Sequence, residues 1–206
     1  DMQLDVHSLQ RFFSELQHRY LGMSYHNQQH GADVLFSVVH LEAGTGHQYG
    51  PSASDTRLRQ VTELGAIVAA AGHDAGHQGK SNRFHCSFVD PVAMLYNDQS
   101  PLESMSCAII FKLLRGTDGA QFLTGDEITD EEFSFFRMIV IGAILSTDLQ
   151  KHFEIMSKTA ARQATERPSG EFDQAQAVTD ISIILKCADV GHAAKPLPIH
   201  KIMTRR

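Results

Sequence analysis

Apolar residues recur at helical spacing in widely separated stretches of this 206-residue chain, and this periodicity constrains the fold more than any other feature. Side chains at positions i, i+3, i+4 and i+7 share one face of an α-helix. Stripes with this spacing run from Leu9 to Tyr20, from Val61 to Ala71, from Leu102 to Leu113 and from Ile181 to Ala188. No strand-like alternation of useful length is present. The sequence therefore predicts an all-α domain whose helices wrap around a central site.

Local signals predict where two of these helices begin. Ser100 has the features of an N-cap, Pro101 suits the first turn, and Glu103 stands at the capping-box position. The acidic run Thr129-Asp130-Glu131-Glu132 opens a long helix that is predicted to continue past Phe153. Breaks rich in Gly, Ser, Pro, Thr and Asp are predicted at Gly44 to Ser54, Gly116 to Asp126 and Arg167 to Asp173.

Length, charge and cysteine content narrow the class of protein. The chain is long enough for one domain with a real core, and a formal net charge of −6 argues against a nucleic-acid-binding surface. Three cysteines without C-x-x-C spacing favour a reducing, intracellular compartment, on the cytoplasmic side of any membrane. No apolar run reaches transmembrane length, and no signal peptide is recognisable. Because the chain starts at Asp1 without Met, we interpret it as part of a longer protein.

An adjacent histidine and aspartate, His73 and Asp74, end an alanine-rich apolar run. Such a pair suits a protein core poorly, but it places an imidazole and a carboxylate where they can hold a divalent metal. His77 follows His73 by four positions, and His26 and His30 show the same spacing. On a helix, each histidine pair would share one face. Taken alone, a pair of this kind is more often part of a solvated face than a ligand pair.

Three further segments are open to both a structural and a functional interpretation. Asp189 ends an apolar helix, where a negative charge opposes the helix dipole unless a cation offsets it. Thr147 and Asp148 interrupt the long helix, either as a tolerated polar turn or as groups that face a pocket. Glu103 either caps its helix or orients a metal-bound water. The His73-Asp74 pair, the segment from His26 to His30 and Asp189 each offer metal ligands, and together they suggest a metal-dependent hydrolase.

The motifs also follow one another in a recognisable order. They are Tyr25-His26-Asn27-x-x-His30-x-x-Asp33-Val34, His73-Asp74-x-x-His77-x-Gly79, Asn82-x-Phe84, Leu95-Tyr96-Asn97-Asp98-x-Ser100-x-Leu102-Glu103, Thr147-Asp148-x-x-x-His152-Phe153 and Lys186-Cys187-Ala188-Asp189. This series resembles the class I 3′,5′-cyclic nucleotide phosphodiesterases, which are all-helical, HD-type metal-dependent phosphohydrolases. The resemblance runs from about residue 20 to residue 196, and the shared order makes it more specific than any single motif.

The resemblance implies a role for each site residue. A tightly held zinc ion would have as its ligands His30, His73, Asp74 and Asp189. Asp74 would also bridge to a second metal, magnesium or manganese, whose waters would be held by His77, Glu103 and Thr147. Asp33 and Asp98 would be outer-shell groups. His26 would be the general acid, and it would contact the substrate together with Tyr25.

The implied reaction is hydrolysis of the 3′ phosphoester bond of cAMP, cGMP or both, which yields the nucleoside 5′-monophosphate. Two metals can offset the phosphate charge and activate water, and an imidazolium can protonate the leaving oxygen. Two alternatives stay open: another HD-type nucleotide phosphohydrolase, and a non-catalytic fragment or binding module that retains the fold.

The resemblance also bears on the extent of the domain. Residues 1–206 would be the metal-centre portion of a catalytic domain, without its C-terminal purine-binding portion, and regulatory domains would lie outside them. The stripe from Ile181 to Ala188 leads directly into Lys195-Pro196-Leu197-Pro198. We therefore expect an apolar wall to stay exposed where further helices would pack.

Overall fold

A computed structural model describes residues 2–44, 56–116, 121–123, 127–163 and 173–204, and within these ranges the chain contains helices and no strand. The α-helices are α1 Val6–Gln17, α2 Gln28–Gly44, α3 Thr56–Gly72, α4 Asn82–Phe88, α5 Pro91–Leu95, α6 Pro101–Arg115, α7 Asp130–Thr147, α8 His152–Gln163, α9 Gln174–Asp189 and α10 Leu197–Thr204. Two 3₁₀ turns cover Leu149–Lys151 and Gly191–Ala194. The predicted all-α fold is confirmed, while most of the three predicted breaks lies outside the described residues.

The centre of the fold is the packing of α7 against α9 and α3, with α2 lying against α3 and α9. Fully buried side chains such as Ile139 on α7 and Ile181 on α9 fill this core. Glycine allows the helices to approach closely, because a Cβ on Gly65 would lie 2.8 Å from a methyl carbon of Ile139. None of the described helices combines the length and apolar character that crossing a bilayer requires.

The apolar stripe of α9 is covered by this packing. Ile181 and Leu185 are completely buried, and Ala188 is nearly so. The stripe therefore does not form the exposed wall that the sequence led us to expect. Large exposed apolar side chains lie on other helices, among them Phe36 on α2, Phe88 on α4, Phe153 on α8 and Leu197 on the C-terminal α10.

The prediction that the long helix continues past Phe153 is wrong. The helix begins as predicted, with a complete capping box between Thr129 and Glu132. It ends at Thr147 because Asp148 leaves helical geometry, with ψ at 119°, and its carboxylate accepts a hydrogen bond from the backbone N–H of Gln150 at 2.9 Å. Aspartate favours the N-cap over the helix interior, so it ends one helix and starts the next turn.

The capping box predicted at Ser100 is also wrong. Ser100 adopts a left-handed conformation with φ at 44° and makes no side-chain cap, although Pro101 does begin α6. Its hydroxyl donates instead to the Asp148 carboxylate at 2.8 Å, and Glu103 accepts a hydrogen bond from Asn82. Asp148 is buried, so its carboxylate needs donors, and this tertiary demand outweighs the local capping preference.

Candidate metal centre

Four side chains from three segments converge on one point. His30 lies in the first turn of α2, His73 and Asp74 directly follow α3, and Asp189 is the last residue of α9. His30 Nε2 lies 3.0 Å from Asp189 Oδ1 and 3.5 Å from Asp74 Oδ2, and His73 Nε2 lies 3.3 Å from Asp74 Oδ2 and 3.5 Å from Asp189 Oδ1. Ligand atoms about 2.0–2.2 Å from one ion lie roughly 3.0–3.5 Å from each other. The four atoms are therefore spaced as the ligands of a single metal ion.

The backbone after α3 fixes the ring of His73. The helix ends at Gly72, where a Cβ would lie 2.6 Å from Ile110 Cδ1 and would force that side chain to shift. His73 Nδ1 lies 3.0 Å from the carbonyl oxygen of Ala70, which assigns the ring proton to Nδ1. The lone pair of Nε2 then faces the two carboxylates. A histidine held by a backbone carbonyl in this way is typical of metal sites.

Three atoms of this cluster are buried without a hydrogen-bond partner among the described residues: His30 Nδ1, His73 Nε2 and Asp74 Oδ2. Leaving a polar atom buried and unpaired costs about 1–3 kcal/mol. A cation at the centre of the cluster would satisfy the two atoms that face it, His73 Nε2 and Asp74 Oδ2. The donor set therefore fits a divalent metal on grounds of chemistry as well as distance.

Electrostatics keep the carboxylates ionised. Burial raises the pKa of Asp189, but the hydrogen bond to His30 and the nearby imidazole of His73 outweigh it and hold this pKa well below the ordinary value. Burial alone would raise the pKa of Asp74, but the charge of His73 outweighs this effect and lowers the pKa. For His73, burial disfavours protonation, yet the charge of Asp74 raises its pKa well above the ordinary value. In the metal-free protein the two carboxylates thus favour a proton on His73, which a bound cation would displace.

A second group of possible ligands, formed by His26, Asp74 and His77, adjoins the first, with ligand atoms within 4.8 Å of one another. The rings of His26 and His77 are stacked, with centroids 3.6 Å apart. Burial lowers the pKa of both imidazoles, that of His77 to about 4. Asp74 therefore belongs to both groups of possible metal ligands.

The idea that each histidine pair lies on one helix face is wrong. His26 precedes α2, and His77 lies in the turn after α3. The loop before α2 is fixed by Asn27, whose side-chain oxygen accepts hydrogen bonds from the backbone N–H groups of Gln29 and His30. This cap starts the helix so that His30 enters the cluster while His26 stays outside it.

A cleft of about 270 Å³ opens beside the cluster, with His26, His73, Asp74, His77 and Asp189 at its base. Its lining also includes Ser81, Asn82, Arg83, Leu102 and Glu103 from α6 and the start of α4. The end of α7 and the turn after it contribute Thr147, Asp148, Leu149 and Gln150, which we call the Thr147–Gln150 wall. Asn82 Nδ2 donates to Glu103 Oε2 at 2.8 Å, and burial raises the pKa of this carboxyl. The Thr147 hydroxyl donates to the carbonyl oxygen of Ile144 at 2.8 Å, which leaves its oxygen able to accept a hydrogen bond from the cleft.

Three predicted site residues belong neither to the four-residue cluster nor to the lining of this cleft. Asp33 forms an ion pair with Lys195, and Asp98 is exposed in a left-handed conformation with φ at 60°. Tyr25 lies behind the centre, with its ring centroid 4.6 Å from that of His30, and burial raises its pKa to about 12. The structure thus brings His26, His77, Glu103 and Thr147 to the cleft, but not these three residues.

Sequence reasoning assigned no role to Arg83 and Gln150, which line the cleft, or to Asn82, which holds Glu103. Asn82 follows Ser81, whose hydroxyl accepts a hydrogen bond from the backbone N–H of Phe84 as the N-cap of α4. That cap could have predicted a helix start beside the metal motif. Nothing in the local sequence around Gln150 predicts its position at the cleft.

A sequence model of the 3′5′-cyclic nucleotide phosphodiesterases matches residues 25–206, and the chain belongs to this family. It is 30% identical over 210 residues to a 3′,5′-cyclic-AMP phosphodiesterase 4C from Rattus norvegicus, an alignment that covers 99% of this chain and 37% of the relative. It is 31% identical over 189 residues to the high affinity cAMP-specific and IBMX-insensitive 3′,5′-cyclic phosphodiesterase 8A from Homo sapiens, covering 84% of this chain and 22% of the relative. The chain thus spans little more than a third, or less, of these relatives.

The fold is shared with a solved structure of the same family. The phosphodiesterase domain of the RhoPDE fusion protein from the choanoflagellate Salpingoeca rosetta superimposes with a TM-score of 0.84 at 26% identity, and the match covers 98% of this chain and 60% of that one. The resemblance drawn from the motifs is therefore confirmed, as is the all-α fold.

Proposed function

We propose that this chain hydrolyses a 3′,5′-cyclic nucleotide, cAMP, cGMP or both, to the nucleoside 5′-monophosphate. The observation that carries the proposal is the convergence of two imidazoles and two ionised carboxylates at ligand spacing, at the base of a cleft, in a member of this family. Residues 1–206 would supply the metal-centre portion of the catalytic domain. All three cysteines are free, which supports an intracellular location.

The metal assignment rests on donor chemistry. His30, His73, Asp74 and Asp189 offer two nitrogens and two oxygens, a set that suits zinc. A second ion, magnesium or manganese, would lie beside Asp74, near His77, Glu103 and Thr147. When bound, the two ions would offset the charge of the phosphate and lower the pKa of a water.

The remaining steps belong to side chains of this chain. The His26 ring is stacked on His77 at the cleft, where it can give a proton to the leaving 3′ oxygen. Burial lowers the pKa of His26, and an anionic phosphate beside it would raise this pKa toward the working range. Asn82 fixes Glu103, whose raised pKa allows it to accept a proton as water attacks.

The test is hydrolysis of cAMP and cGMP by the purified chain with zinc and magnesium, with the product identified by chromatography. His26→Ala should retain its zinc and lose about 10²–10⁴-fold in turnover, the usual contribution of a general acid. His40→Ala is the matched control, because His40 is an exposed histidine on α2.

Three outcomes would contradict this assignment of residues and activity. Loss of zinc in His26→Ala would make His26 a ligand. Turnover of other nucleotides alone would favour a different HD-type phosphohydrolase. Binding of metal and nucleotide without product would favour a non-catalytic module.

A further inference from the structure

Lys186 is a buried lysine whose ammonium group lies against the C-terminal end of α7. Only 8% of the residue is exposed. Its Nζ donates to the carbonyl oxygen of Ser146 at 2.8 Å and lies 3.4 Å from the carbonyl oxygens of Thr147 and Asp148. An ammonium group has three N–H donors, so it can serve all three carbonyls at once.

The end of α7 carries negative charge that Lys186 offsets. The last carbonyls of a helix have no partner within it and carry partial negative charge, and the last turn of α7 has no basic residue of its own. Asp148 adds a carboxylate at the same place. That carboxylate is fixed from two sides, by the hydroxyl of Ser100 at 2.8 Å and by the backbone N–H of Gln150 at 2.9 Å.

Lys186 also joins two parts of the cleft. It lies one turn before Asp189 on α9, whereas the carbonyls that it binds belong to the turn whose side chains form the Thr147–Gln150 wall. One turn earlier on α9, the backbone carbonyl of Ser182 accepts a hydrogen bond from Ser146 Oγ at 3.1 Å. These contacts to backbone carbonyls connect α9, which carries Asp189, to the turn that carries the Thr147–Gln150 wall. They do not use the side chain of Thr147, which can therefore contact other partners.

We propose that Lys186 is a positioning residue that fixes the Thr147–Gln150 wall relative to Asp189 and so sets the second metal position. Lys186 itself touches no substrate. The inference rests on the proposed function only for what the cleft holds. Ser100, directly before α6, contacts the same turn, and α6 carries Glu103, which also lines the cleft. Loss of either contact should loosen the second metal position while the four groups around the first keep their spacing.

The decisive variant is Lys186→Met, which keeps the length of the side chain and removes the ammonium group. Lys158→Met is the matched control, since Lys158 is exposed and pairs only with Glu154. Manganese binding to the zinc-loaded proteins is measured by electron paramagnetic resonance, with zinc content and thermal unfolding determined on the same samples. We expect full zinc content in every sample and a dissociation constant for manganese about 10–100-fold weaker in Lys186→Met.

Unchanged manganese affinity in a folded Lys186→Met protein would overturn the inference, because a role in stability alone lowers the melting temperature without weakening this site. If Lys186→Met does not fold, Ser100→Ala decides the matter: it should weaken manganese binding in the same direction, and unchanged affinity would overturn the inference. Manganese binding is read without turnover, so failure of the wild-type chain to hydrolyse cyclic nucleotides contradicts the proposed function and not this one.

Discussion

Removing the metal should lower the thermal stability of this chain by an amount that the structure allows to be worked out. Without a cation, His73 Nε2 and Asp74 Oδ2 are buried 3.3 Å apart and lack the partner that a bound ion would supply. Zinc at 100 to 1,000 times its dissociation constant stabilises the folded state by about 2.7–4.1 kcal/mol. A domain of this size shifts by about 2–4 °C per kcal/mol, so zinc should raise the melting temperature by about 5–16 °C.

The assay is thermal unfolding followed by circular dichroism at pH 7.5, after dialysis against a chelator and again after zinc is restored. The shift should shrink at acidic pH, because the metal must displace the proton that His73 holds with a raised pKa. Asp189→Asn removes an ionised ligand and should abolish most of the shift, whereas Glu154→Gln, an exposed change on α8, should keep it. Equal melting temperatures with and without zinc, or a full shift in Asp189→Asn, would refute the ligand assignment.

Three further predictions concern the walls of the cleft and the packing behind them. Burial raises the pKa of Glu103, so the ionised carboxylate destabilises the metal-free fold. Glu103→Gln should therefore raise the melting temperature at pH 7.5 but not below about pH 4. An equal effect at both pH values would exclude ionisation of Glu103 as the cause. Asn82→Ala removes the donor that holds Glu103, so turnover should fall about 10–100-fold at full zinc content; unaltered turnover would show that Glu103 needs no such support. Gly142→Ala would place a Cβ against Val178 between α7 and α9 and should cost about 1–3 kcal/mol in urea unfolding, while Gly44→Ala, which meets open space, is the control.

The helices were predictable from the sequence where burial is periodic, and their ends were not. The stripes that begin at Leu9, Val61, Leu102 and Ile181 lie on helices, because a repeating apolar face reports local geometry directly, although Tyr20 at the end of the first stripe lies beyond α1. Whether Asp148 continues α7 or ends it depends on Ser100, which is 48 residues away, and on Lys186, which is 38 residues away. Propensities read over a short window contain neither partner, so the predicted length of α7 was wrong.

The residues of the metal cluster could be predicted, but the geometric reason given for the histidine pairs was mistaken. His26 and His77 meet by stacking across two loops, although their spacing from His30 and His73 had suggested shared helix faces. Asp33 was expected near the site as an outer-shell group, but its side chain does not line the cleft. It stands three positions after His30 on α2, yet its carboxylate pairs with Lys195 and lies away from the cleft. Spacing predicts which side chains can share a face, whereas the partners across the fold decide which of them reach the site.

The placement of the cluster at helix ends explains why it calls for a cation. Asp74 lies two residues beyond the end of α3, and Asp189 is the last residue of α9, so two carboxylates stand where each helix dipole is already negative. At the end of α7, Lys186 offsets the same kind of charge with an ammonium group. Around Asp74 and Asp189 the neighbouring cationic groups are imidazoles, and a proton on His73 balances only one of the two negative charges. A divalent ion among the four ligands would balance both and free His73 of its proton, which is why metal affinity and pH should be linked in this chain.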